Sequence, residues 1–129
     1  ALRSALFAGR RVAAQALPEA DVPAANARQG AVVGWACYGS LAPWELIDTA
    51  GRKLVGLAQR RQRTGVLLVA GTLATPPDWA LLCGAMGQPE DVAAMQRRTV
   101  DCATLADRPW DTALLAERLH QALARVLTP

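Results

Sequence analysis

One lysine has neighbours that would suit it to chemistry. Lys53 stands between Gly51 and Gly56, ahead of the apolar run VLLVAGTL that begins at residue 66. A lysine on a mostly apolar strand face either extends its ammonium to solvent at the sheet edge or directs it at an anion. Gly56 fits the second interpretation, because a glycine inside a strand weakens it unless something approaches the backbone closely. Residue types alone leave both interpretations open.

One cysteine is the second candidate. Cys37 lies in WACYGS, a glycine-interrupted apolar segment, where it is either a small buried hydrophobe or a nucleophile supported by a nearby base or cation. The segments around Cys83 and Cys102 are typical of core, and His120 flanks the apolar stripe of the last predicted helix. Three cysteines and one histidine at these spacings predict neither a disulfide framework nor a zinc site.

Composition restricts the class of protein. The chain has 129 residues, 52% hydrophobic and 19% charged, which predicts one folded domain over residues 1–129. A net charge of +3 is too small to indicate a nucleic-acid partner. The basic cluster at residues 60–63 is interpreted as a solvated hairpin tip. No apolar stretch reaches the roughly 18 residues needed to span a bilayer and no secretory signal is present, so we expect a cytoplasmic protein without a membrane partner.

The elements that would position Lys53 form a predicted meander. Residues 44–74 contain the strand-like segments WELID, KLVGLAQRRQ and VLLVAGTL, separated by the turn signals TAGR and RTG. In WELID the alternation puts Glu45 and Ile47 on one face and Trp44, Leu46 and Asp48 on the other. Upstream, residues 2–8 resemble the end of an amphipathic helix.

Helical periodicity follows the meander. DWALLCGAM predicts a helix capped by Asp78, with Trp79, Leu82 and Met86 on one face. A second helix is predicted to begin near Pro89, and VDCATL is interpreted as an extended link. Residues 111–127 carry a long apolar stripe and form the clearest predicted helix. The predicted class is therefore α+β, with an antiparallel strand meander followed by packed C-terminal helices.

A specific resemblance appears at residues 37–71, CYGSLAPWELIDTAGRKLVGLAQRRQRTGVLLVAG. This stretch resembles the signature region of the lipoate–protein ligase and octanoyltransferase family, which shares its catalytic fold with biotin–protein ligases. That family carries G-[RK]-K-[ILV]-x-G-x-A-Q-x-R on a strand, followed by a turn and an apolar strand that ends near H-G-[ST]. The residues that fall on these two motifs include Gly51, Arg52, Lys53, Gly56, Ala58, Gln59, Arg61, Gly71 and Thr72.

The resemblance implies roles for these residues. Lys53 would contact the acyl carbonyl and phosphate of an acyl-adenylate or the carbonyl of a thioester, while the motif residues around it would bind substrate. Cys37 resembles the octanoyltransferase cysteine that carries the acyl group. The implied cargo is octanoate or lipoate, with ATP for a ligase. The spacing of the cysteines and the histidine separately predicts that this chain binds no metal. The implied acceptor is a lysine in the lipoyl-carrier domain of a 2-oxoacid dehydrogenase or of a glycine cleavage protein.

The chain departs from the family pattern in two places. Ala70 stands where many relatives have a histidine. The family's upstream half, with its Arg- and Gly-rich loop, has no counterpart, so the chain resembles the C-terminal half of the catalytic domain with an exposed sheet edge. A second chain or a second copy would complete that sheet. A non-catalytic or incomplete family member, acting only as a partner subunit or fragment, is the alternative function.

Overall fold

One four-stranded antiparallel sheet organises the protein. The computed structural model describes residues 13–127, and the helix predicted at residues 2–8 lies outside this range. The strand order is β1-β2-β3-β4, with bounds Ala14–Ala16 (β1), Leu46–Asp48 (β2), Lys53–Gln62 (β3) and Gly65–Thr72 (β4). The predicted meander is confirmed, and β1 adds a short strand beside β2.

Five helices accompany the sheet within the described range. Their bounds are Val22–Arg28 (α1), Trp79–Ala85 (α2), Val92–Arg98 (α3), Cys102–Ala106 (α4) and Thr112–Leu127 (α5), with single 3-10 turns at Glu19–Asp21 and Pro89–Asp91. Four of these helices follow the last strand. The predicted α+β class, with antiparallel strands followed by C-terminal helices, is confirmed.

Buried carboxylates shape two of the connections. In the turn from β2 to β3, Asp48 Oδ1 accepts hydrogen bonds from the backbone N–H groups of Ala50 at 3.0 Å and Arg52 at 2.8 Å. Gly51 adopts φ +81° there, as the turn signal predicted. Asp101 similarly accepts from the N–H of Thr104 at 2.9 Å and begins α4. The extended link predicted for this segment is therefore wrong, because the local cap favours a helix.

A β-bulge in β3 decides which way Lys53 points. Leu46 pairs with Val55 and Ile47 pairs with Lys53, so Leu54 is an extra residue in the ladder. Leu54 and Val55 both pack in the core beneath α4 and α5. Lys53 is consequently left on the opposite face of the sheet, beside Ile47. A strict alternation would have placed Lys53 and Val55 on the same face.

The helices bury less of their apolar surface than the sequence predicts. Asp78 caps α2 as predicted, accepting from the Leu81 N–H at 2.9 Å, but α2 buries Trp79 and Cys83. Leu82 and Met86 are exposed, so the predicted face is wrong there. Along α5 only Leu115 is fully buried, and the stripe becomes increasingly exposed towards Leu127. Apolar side chains of α2 and α5 thus stay exposed to solvent.

Candidate functional site

The ammonium of Lys53 is buried and fully occupied by protein acceptors. Lys53 is 2% exposed, and it is the only lysine in the sequence. Its Nζ donates to the carbonyl oxygens of Cys37 at 2.7 Å and Ser40 at 3.0 Å, and it forms an ion pair with Glu45 Oε1 at 2.7 Å. An ammonium has three donors, and each has a partner here. Lys53 therefore organises the protein around it and has no donor left for a ligand in this arrangement.

Glu45 is the counter-ion that the sequence analysis did not identify. This carboxylate is also 2% exposed. Besides Lys53, it accepts from the N–H of Ala42 at 2.8 Å and from the N–H of Leu57 at 3.0 Å. Burying an ion pair is unfavourable unless its remaining lone pairs and protons are satisfied, and here they are. The signal available in the sequence was a glutamate in the apolar run WELI with one lysine shortly downstream.

Backbone strain at Trp44 accompanies this inward turn of Glu45. Trp44 has φ +68°, a conformation that a bulky residue rarely adopts and that costs roughly 1–2 kcal/mol. Its N–H donates to the Leu17 carbonyl at 2.7 Å, and the Leu17 N–H donates to the Glu45 carbonyl at 2.9 Å. The indole stays exposed while Glu45 faces inward. The local sequence gives no hint of this conformation, because the contacts with Leu17 and Lys53 impose it.

A tight turn presents Cys37 at the surface. The Gly39 N–H donates to the Ala36 carbonyl at 2.8 Å, and the Val33 N–H donates to the Gly39 carbonyl at 3.0 Å. A Cβ at Gly39 would lie 2.0 Å from the Val33 carbonyl oxygen, so only glycine fits. The Cys37 side chain is exposed, while its carbonyl is bonded to Lys53. The structure thus brings the two predicted catalytic residues together through the backbone of one and the side chain of the other.

Tyr38 covers the paired glycines of β3 and β4. Gly56 and Gly71 lie opposite each other in the ladder, and Tyr38 Oη donates to the Gly71 carbonyl at 2.6 Å. A Cβ at Gly71 would lie 2.9 Å from that hydroxyl, and one at Gly56 would lie 3.0 Å from Lys53 Cε. Burial raises the pKa of Tyr38 above its ordinary value. These two predicted binding residues therefore make room for Tyr38 and Lys53 themselves.

Three other predicted binding residues line a groove on the opposite face of the sheet. Ala58, Gln59 and Thr72 border this groove, which has a volume of about 770 Å³ and lies between the β3–β4 hairpin and α5. The remaining lining residues are Ala42, Pro43, Trp44, Leu57, Leu68, Val69, Ala70, Leu119 and Leu123. By strand alternation, Leu57 and Lys53 lie on different faces beyond the bulge. The groove therefore lies on the α5 side of the sheet, and Lys53 does not line it.

Arg52 occupies a third location. Its guanidinium pairs with Asp48 Oδ2 at 2.7 Å, and it borders a pocket of about 230 Å³ together with Trp79, Thr99 and Asp101. The residues predicted from the family motif are therefore divided among three places. Only Lys53, Gly56 and Gly71 share the surroundings of the Cys37 turn, with Gly51 two residues away along the chain.

The other two cysteines are buried and resist ionisation. Burial raises the pKa of Cys83 above its ordinary value, and burial together with the adjacent Asp101 carboxylate raises the pKa of Cys102 to about 11. Iodoacetamide reacts with accessible thiolates. We expect it to modify Cys37 alone in the folded protein and all three cysteines in guanidinium, as peptide mass spectrometry would show. Comparable modification of Cys83 in the folded protein would contradict the structure.

The raised pKa of Cys102 makes stability depend on pH. A thiol in the unfolded chain titrates near pH 8.5, whereas Cys102 in the folded protein titrates at about 11. Between these values the folded state binds more protons, so the free energy of unfolding falls as pH rises. We expect a loss of roughly 1–3 kcal/mol over that window. Urea denaturation should show a shallower pH dependence for Cys102→Ala and an unchanged one for Cys37→Ala; equal slopes for all three proteins would contradict this assignment.

Residues 13–127 lack two kinds of feature. No group of three or more His, Cys, Asp or Glu side chains there is placed to hold a metal ion. No helix in that range is long and apolar enough to span a membrane.

Comparison of the chain with protein-family models, with curated proteins and with solved structures finds no match. A family assignment for this chain therefore depends on the motif of residues 37–71 alone.

Proposed function

We propose that the protein belongs to the lipoate–protein ligase and octanoyltransferase type and moves an octanoyl or lipoyl group to a lysine of a lipoyl-carrier domain. One observation carries the proposal. Cys37 carries an exposed thiol, and its backbone carbonyl accepts a hydrogen bond from the buried ammonium of Lys53. That pairing joins the two residues to which the motif resemblance assigns the chemistry.

The proposed reaction has two steps. The Cys37 thiolate attacks the carbonyl carbon of an acyl thioester, forms a new thioester and expels the donor thiolate. The unprotonated amine of the acceptor lysine then attacks that thioester, forms an amide and releases the Cys37 thiolate, while the proton lost from nitrogen passes to solvent. Neither step changes an oxidation state, so no redox co-reactant is needed.

Lys53 acts in this proposal as a positioning residue. All three of its donors are bonded to Cys37, Ser40 and Glu45, which supports a role in fixing the shape of the loop that carries the thiol. This differs from the role implied by the resemblance, in which the ammonium contacts the acyl group or phosphate directly. A ligand could recruit it only by replacing one of these three bonds.

An apolar strip supports acyl cargo on the same face of the sheet. Beyond the glycine pair covered by Tyr38, strand alternation directs the side chains of Ala58, Val69 and Leu67 to this face. All three are exposed. Ala58 and Val69 also border the groove on the other side of the sheet. An acyl chain lying along the strip would gain about 0.8 kcal/mol for each methylene that it buries.

Mass spectrometry tests the proposal directly. The chain is incubated with an octanoyl thioester of a pantetheine carrier, and the expected product is an octanoyl adduct on Cys37. Addition of a lipoyl-carrier domain should then move the acyl group to that domain's lysine. A parallel reaction with free octanoate and ATP separates a ligase from a transferase. No adduct and no transfer with either donor would overturn the proposal.

The saturation of Lys53 favours a second candidate, a non-catalytic or incomplete family member that acts only with a partner. In that case the isolated chain would form no adduct on Cys37. An adduct that forms only after addition of a protein carrying the family's Arg- and Gly-rich upstream half would favour this candidate.

A further inference from the structure

The outer edge of β4 has backbone N–H and C=O groups that could pair with another strand. β4 is the last strand of the sheet and has eight residues, GVLLVAGT, without a charge or a proline. The opposite edge strand, β1, has only three residues. Natural proteins protect sheet edges with short strands, charges or prolines. β1 has such protection and β4 has none within residues 13–127.

The phase of the β3–β4 ladder shows which backbone groups face outward. Gln62 and Gly65 flank the two-residue turn and therefore form a hydrogen-bonded pair. The Leu73 N–H bonds to the Leu54 carbonyl at 3.1 Å, in the same phase. The N–H and C=O groups of alternate β4 residues must then point away from β3. These residues are Val66, Leu68, Ala70 and Thr72.

We propose that two copies of this chain join their β4 strands antiparallel, about a twofold axis at Val69, into one eight-stranded sheet. This register engages all four outward-facing residues and forms about eight backbone hydrogen bonds. An axis shifted by one residue in either direction would leave part of that set without a β4 partner. The proposal does not depend on acyl transfer, because it uses only the edge of β4.

The side chains of β4 are self-complementary in this register. Leu68, which is 72% exposed, lies opposite the partner's Ala70, and Val66 lies opposite the partner's Thr72. On the other face, Leu67 lies opposite the partner's Gly71, beside the Tyr38 side chain that covers this glycine. A large residue thus meets a small one at each position beside the axis, where cross-strand pairs stabilise a sheet.

The side chains of β4 leave apolar surface exposed for such an interface. Val66, Leu67, Leu68 and Val69 are 58%, 60%, 72% and 51% exposed. Removing apolar surface of this kind from water favours association.

Cysteine cross-linking tests the register. In a Cys37→Ala background, Val69→Cys places two thiols across a non-hydrogen-bonded pair, with Cα atoms about 4.5 Å apart, within disulfide range. We expect this variant to become a covalent dimer on mild oxidation. The matched variant Leu67→Cys places its two Cα atoms about 13 Å apart along the strands and should stay at least ten-fold less cross-linked. Equal cross-linking of both variants would overturn the register.

Light scattering of the wild-type chain tests the assembly itself. The expected species is a dimer, because twofold pairing uses the β4 edge of both copies and the other edge strand of the described sheet, β1, has only three residues. Ala70→Pro removes one outward N–H without removing a β3–β4 hydrogen bond, so we expect a folded monomer with an unchanged circular dichroism spectrum. A wild-type monomer at all concentrations, a polydisperse polymer, or a dimer that survives Ala70→Pro unchanged would each overturn the proposal. A β4 edge covered instead by another protein or by an upstream segment would appear as the monomeric outcome.

Discussion

Replacing Lys53 with methionine is expected to lower the free energy of unfolding by about 3–5 kcal/mol. Methionine approximates the length of the lysine stem, so the change mainly removes the ammonium. The Glu45 carboxylate would remain 2% exposed, without its counter-ion, and the carbonyls of Cys37 and Ser40 would lose their donor. Truncating one member of a buried pair costs more than the pair itself contributes, because the other charge is left uncompensated.

Urea denaturation measures this change, and the chain offers a matched control. Arg60 is a basic residue on the same strand, exposed on the hairpin, and Arg60→Met should change the free energy of unfolding by no more than about 0.5 kcal/mol. A loss below 1 kcal/mol for Lys53→Met would show that the buried ion pair is not formed. The structural role of Lys53 also means that inactivity of a Lys53 variant says little about catalysis unless folding is verified.

Replacing Cys37 with serine is expected to abolish acyl transfer while leaving stability unchanged. If the proposed function holds, loss of the nucleophile should reduce the transfer rate by a factor on the order of 10³ or more. A serine hydroxyl at the same position has no base to activate it among the acceptors that surround Lys53. Because Cys37 is exposed, the variant should unfold within about 0.5 kcal/mol of the wild type.

The readout is octanoyl transfer to a lipoyl-carrier domain, followed by intact-mass spectrometry. Val32→Ala, an exposed apolar change in the same loop, serves as the control and should keep wild-type transfer. Transfer by Cys37→Ser at the wild-type rate would exclude a thioester on Cys37 and would leave direct attack on an adenylate as the route. Thermal denaturation of the three proteins confirms that any loss of activity is not a loss of fold.

The sheet was predictable from sequence because its signals are local. The strands around Gly51 and the hairpin turn follow from period-two alternation bounded by turn residues, and the structure confirms them. The Asp78 cap was predictable for the same reason. The short helix α4 was missed because Asp101 was not recognised as its N-cap, so the capping geometry prevailed over an ambiguous apolar pattern.

The surroundings of Lys53 were not predictable, because they depend on contacts between distant segments. The bulge at Leu54 reverses the face of the strand, and no residue type in the sequence marks it. The loop at residues 37–40 then folds over that face, and Glu45 turns inward through the strained backbone of Trp44. The sequence did indicate that Lys53, a cation in an apolar strand, would either reach solvent or meet an anion. In the structure its ammonium is buried and contacts the Glu45 carboxylate and the carbonyls of Cys37 and Ser40.

The most direct test of the account is nuclear magnetic resonance of the single lysine. Uniform labelling with ¹⁵N and ¹³C gives one lysine side-chain ammonium signal, since Lys53 is the only lysine in the chain. We expect that signal to be protected from exchange with water and to show couplings across hydrogen bonds to the carbonyl carbons of Cys37 and Ser40. A rapidly exchanging ammonium without such couplings would contradict the claim that Lys53 holds the Cys37 turn in place.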